Sequence, residues 1–62
     1  MWYCVSTACY DDGRVSANII DAKEQYEKPE GAFKSTRRAD IYTDWFQTLF
    51  AAQEYMEEVR RA

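Results

Sequence analysis

"DWFQTLF", residues 44–50, is where the hydrophobic period of the chain changes, and its reading decides the fold. Upstream, "RADIYTDWF" (38–46) alternates. Ala39, Ile41, Thr43 and Trp45 fall on one side, and Asp40, Tyr42, Asp44 and Phe46 on the other. Alternation of this kind marks a half-buried strand, and the first set is the natural core face. Downstream, Leu49, Ala52, Met56 and Val59 recur at i, i+3, i+7 and i+10, the stripe of an amphipathic helix over 47–61. Arg60 and Arg61 close it, where positive charge suits the negative end of the helix dipole. The stretch is thereby divided: Trp45 and Leu49 are expected to point inward, and Phe46 and Phe50 to form an outward i,i+4 pair.

Residues 2–22 read as a hairpin. "WYCVSTACY" is rich in aromatic and β-branched residues, "DDGR" is a turn signal and "VSANII" alternates. With Asp12-Gly13 as a two-residue turn, Tyr10 would face Val15 and Val5 would face Ile20. With Asp11-Asp12-Gly13 as a three-residue loop and Gly13 in the left-handed position of a G1 bulge, the register moves by one. Tyr3, Val5, Thr7 and Cys9 then share a face with Val15, Ala17 and Ile19. One slipped residue exchanges the two faces, and the bulged loop segregates apolar from polar residues more cleanly. The segment 23–35 is polar, holds the only proline and one of two glycines, and reads as a long exposed loop. A third strand at 38–46, antiparallel to the second, completes a meander. The expected fold is therefore α+β: a three-stranded antiparallel sheet followed by one C-terminal helix packed on one face, β-β-β-α, in a single domain over 1–62. The helix is expected to cover Tyr3, Val5, Val15, Ile19, Ile41 and Trp45. Trp2, Cys4, Tyr10, Ile20 and Tyr42 are left to the open face.

Composition bounds the function. A chain of 62 residues buries only about 60% of its unfolded surface, and its core yields about 3–5 kcal/mol at most. Two Trp, five Tyr and three Phe, each able to bury on the order of 150–250 Å², exceed what one thin core accepts. Exposed aromatic patches mark protein–protein interfaces, which nominates Trp2, Tyr10, Tyr42, Phe46 and Phe50. The opposing reading folds the 23–35 loop over them, with Tyr26 or Phe33 as a lid. A homodimer is the simplest partner for a chain with so little core.

The other constellations point to solvated or structural roles. Lys34, Arg37 and Arg38 in "KSTRR" form a basic patch that could meet phosphates beside Phe33 or Tyr42. The net charge of −3 opposes nucleic acid as a partner, and cations at a strand start also guard an edge against aggregation. Asp40 and Asp44, four residues apart on a strand, stand roughly 13 Å from each other, too far for a glycosidase pair at about 5–9.5 Å. Cys4 and Cys9 stand roughly 16 Å apart on opposite strand faces, beyond disulfide reach. There is no histidine, so neither a closed zinc site nor a nucleophile–imidazole pair is expected. No enzyme activity, cofactor or metal is anticipated. Free thiols, no basic leader and no long apolar run suggest a cytoplasmic setting without a membrane partner.

"YTDWFQTLFAAQEYMEEV", through Phe46, Ala52, Tyr55 and Val59, resembles the strand-to-helix ends of small bacterial proteins, including those carried by phages and conjugative elements. The resemblance covers about the last twenty residues and implies a helix docked on a sheet; bacterial and mobile-element origin follow from it as expectations only. Taken together, the residues lead to a non-enzymatic protein–protein interaction module that self-associates or docks on another protein. One alternative is an acidic inhibitor of a nucleic-acid-handling protein, with Asp40, Asp44, Glu54, Glu57 and Glu58 imitating phosphates. The other is direct nucleic-acid binding through Lys34, Arg37 and Arg38.

Overall fold

The computed structural model describes residues 1–61. Strands β1 (Trp2–Tyr10) and β2 (Val15–Lys23) form an antiparallel hairpin. Its loop is the three-residue form: the Tyr10 N–H donates to the Arg14 carbonyl at 2.9 Å and the Gly13 N–H to the Tyr10 carbonyl at 3.0 Å. Gly13 sits at φ +91°, a conformation that side chains with a Cβ resist. Asp12 accepts from the Arg14 N–H at 3.0 Å and from its Nε at 2.7 Å. Those bonds, the backbone one first, hold the Asp12 carboxyl below its ordinary value. Cys9 faces Val15, Thr7 faces Ala17 and Val5 faces Ile19, after which the register skips Ile20 so that Cys4 meets Asp21. This second bulge has no signature in the sequence.

The sheet has four strands, where three were expected. Within 23–35, residues Ala32–Ser35 form β3, which pairs with β4 (Ala39–Phe46) through a tight Thr36–Arg38 connection. There the Thr36 N–H donates to the Ala39 carbonyl at 2.8 Å, and the Ala39 N–H to the Thr36 hydroxyl at 3.1 Å. Nor is the sheet a meander. The order is β2-β1-β4-β3, so β4 lies against β1 and not against β2. Strand β1 has two pairing edges; β2 occupies one and β4 completes the other. The 24–31 segment therefore joins one edge of the sheet to the far edge.

That register also reverses the faces of β4. Phe46, Asp44, Tyr42 and Asp40 stand opposite Tyr3, Val5, Thr7 and Cys9, while Trp45 stands opposite Cys4 and Ile41 opposite Ala8. Ile41 and Trp45 thus lie on the face away from the helix, contrary to the expected core face. Trp45 is nevertheless buried, because the connection covers it. Its indole N–H donates to the Glu30 carbonyl at 3.1 Å, and the Lys23 ammonium lies 5.4 Å from its ring centroid. Gly31 permits this close passage: a Cβ there would lie 2.6 Å from the Thr43 carbonyl oxygen.

Helix α1 (Leu49–Arg61) follows β4 directly. The Thr48 hydroxyl caps it by accepting from the Ala51 N–H at 3.1 Å. Ala52 is fully buried against Val5 and Ala17, with Tyr3, Phe46, Tyr55, Met56 and Val59 packed around that centre. Leu49, expected inside, is 44% exposed. At the C-terminal end the Arg60 Nη2 donates to the Ala17 carbonyl at 3.0 Å, anchoring the helix to β2. No helix among the described residues is long and apolar enough to cross a membrane.

Candidate protein-docking surface

The helix covers only half of its sheet face. It packs over β2 and β1, reaches β4 less and does not touch β3. Between it and β4 runs an open groove of about 330 Å³, floored by Thr7 and Cys9 with Val15 of β2 beside them, and walled by Tyr55 and Val59 on one side and Tyr42 and Asp44 on the other. Beyond Tyr42 the β3–β4 register sets Phe33 beside it, with ring centroids 4.9 Å apart. Phe33 and Tyr42 are 59% and 41% exposed. They are the two largest apolar groups on this half-face, and the helix leaves both to solvent.

Polar groups are placed on the same surface. Thr7 is only 4% exposed, and its hydroxyl has no hydrogen-bond partner, a rare state for a buried polar atom. Asp44 accepts from the Tyr55 hydroxyl at 3.3 Å and Asp40 from the Ser35 hydroxyl at 2.7 Å. Among the described residues the ion pairs are Arg14 with Asp12 and Arg61 with Glu57, so neither Asp40 nor Asp44 faces a cation. Opposite Asp44's strand, the Cys4 thiol is raised by burial, then by the Asp21 and Asp44 carboxylates. Cys4 is buried and Cys9 exposed, on opposite faces of β1.

The five aromatic anchors expected from the sequence do not form one patch. Tyr42 alone borders the groove. Phe46 is half-buried and packs against Tyr55, with centroids 4.9 Å apart, because the reversed face of β4 turns it toward the helix. Trp2 is half-buried on the open face. Tyr10 lies at the hairpin end with the Arg14 guanidinium 5.3 Å from its ring. Phe50 is 70% exposed on the solvent side of α1. The basic residues separate as well. Lys34 pairs with Ile41 in the β3–β4 register, on the face away from Phe33. Arg37 and Arg38 sit in the turn, where the Arg38 carbonyl accepts from the Asp11 N–H at 2.9 Å. Arg38 and Arg14 line a shallow cleft with Tyr10, Asp11 and Asp12, so the acids of the hairpin loop offset its positive charge.

Of the lid candidates, Tyr26 is 99% exposed and covers nothing, and Phe33 joins the aromatic wall. Thr7 and Cys9 line the groove without being nominated by the sequence, which offers Phe33 only as a lid or beside the basic patch. Alternation of Phe33 with Ser35 was the available signal, in a strand of only four residues. No group of three or more Cys, Asp or Glu side chains placed to hold a metal occurs among the described residues. The chain matches no family model, no curated protein and no solved structure.

Proposed function

We propose that this protein is a non-enzymatic protein–protein interaction module whose contact surface is the uncovered half of the helix-side face, centred on Tyr42 and Phe33. One observation carries the reading: two aromatic rings packed at 4.9 Å between centroids stand in solvent beside an apolar groove, while Val5 is the only large side chain fully buried among the described residues. Aromatic groups held in place at such low core content are the usual anchors of an interface. Self-association is one form of this function. It predicts a dimer that Tyr42→Lys dissociates while the far-ultraviolet circular dichroism is retained.

The test is selection of binders from a random peptide library on the wild-type chain, followed by measurement on Tyr42→Lys. Peptides whose affinity falls at least tenfold support the reading. Peptides that bind both chains equally overturn it. Sedimentation equilibrium of the unmixed chain, in low and high salt, then separates a second copy from a foreign partner.

The acidic-inhibitor reading draws support from one feature: Asp40 and Asp44 share the groove side of β4, with no cation paired to either. It makes the same surface the contact and a basic protein the target. For the nucleic-acid reading the scattered Lys34, Arg37 and Arg38 offer no continuous stripe of positive charge.

A further inference from the structure

Neighbouring strands lie about 4.8 Å apart, and a helix with its side chains is about 10 Å across. A four-stranded sheet therefore carries two helices side by side on one face, and this chain supplies one of them. Helix α1 sits over β2 and β1, and the half over β4 and β3 is one helix wide. Tyr42 and Phe33 lie side by side on it, and along β1 it opens into the groove between Tyr42 and Asp44 on one side and Tyr55 and Val59 on the other.

The charged side chains of β4 on this half-face are acidic, and the cations Arg37 and Arg38 stand only in the β3–β4 turn at its end. Asp40 and Asp44 project from β4 on that side. On α1 the helical period puts Ala51 and Glu58 on the flank shared with Tyr55, whereas Arg60 lies on the other flank, bonded to Ala17. Lys34 faces away with Ile41, and Lys23 lies over Trp45. A second copy is a poor occupant, because the solvent side of its own helix carries Glu54 and Glu57 and would meet Asp40 and Asp44 with like charge.

We infer that the vacant half-face over β4 and β3 is a seat for a basic amphipathic helix of another protein, with its apolar stripe on Tyr42 and Phe33 and its Lys or Arg residues against Asp40, Asp44 and Glu58. This rests on the proposed interaction function and names its partner. Helix-in-groove docking uses this combination of an apolar seam and complementary flanks.

Two synthetic 18-residue helical peptides of Leu with Lys, and of Leu with Glu, in the same amphipathic pattern, test this against the isotopically labelled chain. The Lys peptide is expected to shift the amide resonances of Thr7, Cys9, Phe33 and Tyr42, and the Glu peptide is expected not to bind. Asp40→Asn with Asp44→Asn should weaken the Lys peptide at least tenfold, and so should Tyr42→Lys. Equal binding of both peptides, shifts confined to the outer glutamates of α1, or no binding at all would overturn the inference. In those cases library binders that still depend on Tyr42 would leave the interaction function standing. Binders indifferent to Tyr42 would remove both.

Discussion

Replacing Thr7 by Val tests the groove floor most sharply. Thr7 is buried at 4% exposure opposite Ala17 and Tyr42, and its hydroxyl lacks a partner. A buried polar group left unsatisfied costs about 1–3 kcal/mol, and the methyl that replaces it adds roughly 0.8 kcal/mol of apolar burial. Both residues are β-branched, so the strand backbone is not disturbed. After allowance for imperfect fit of the methyl, Thr7→Val should stabilise the chain by about 1–2 kcal/mol, a large share of the roughly 3–5 kcal/mol available to a core of this size. In urea, followed by tryptophan fluorescence, the midpoint should rise with an unchanged slope. The melting temperature should rise by roughly 4–8 °C for each kcal/mol. Thr7→Ser keeps the hydroxyl and removes the methyl, and should lose about 0.5–1.5 kcal/mol. A Thr7→Val chain less stable than wild type by more than about 0.5 kcal/mol would mean that the hydroxyl is bonded after all, and the reasoning about the floor would fail.

Four other perturbations follow from the same structure. Gly31→Ala would drive a Cβ to 2.6 Å from the Thr43 carbonyl oxygen; the connection must move, at about 1–3 kcal/mol, and loss of the Glu30 acceptor should red-shift the tryptophan emission, whereas an unchanged spectrum and melting curve would refute the close passage. Arg60→Ala removes the bond to the Ala17 carbonyl and should cost about 1 kcal/mol, while exposing a β2 edge group that favours association at high concentration; equal stability and equal sedimentation would show that the contact is idle. Iodoacetamide should modify Cys9 at least tenfold faster than Cys4. Because burial and two carboxylates raise the Cys4 thiol, its stabilising contribution is present below the unfolded thiol value near about 8.5 and is lost as the pH climbs from there through the raised folded value. The alkaline fall in melting temperature should therefore be shallower in Cys4→Ala, and an identical fall would contradict the assignment.

How far the sequence reveals this arrangement depends on the range of the interaction. The hairpin loop was legible because Gly13 and the segregation of apolar residues are local, and the helix because Ala52, Met56 and Val59 keep its period. Strand order was not, since the pairing of β4 with β1 joins residues far apart in the chain. A period of two reports that β4 has two faces but not which one is inward. The apolar count favoured Ile41 and Trp45, yet the Glu30 carbonyl and the Lys23 side chain give Trp45 its burial on the other side, and Phe46 takes the place beneath the helix. Leu49 follows the stripe but is the first residue of the helix and stays 44% exposed. The groove was hidden for the same reason: it exists only because β3 forms and pairs Phe33 with Tyr42, and four residues with one aromatic carry little local signal.

The most direct measurement is broadening of the aromatic proton resonances by a neutral paramagnetic cosolute, at protein concentrations from tens of micromolar to near millimolar. With the half-face over β4 and β3 open, Tyr42 and Phe33 should broaden nearly as strongly as Tyr26 at every concentration, while Phe46 and Tyr3 stay protected. Protection of Tyr42 and Phe33 equal to that of Phe46 would mean that this half-face is already covered, and the vacant seat would not exist.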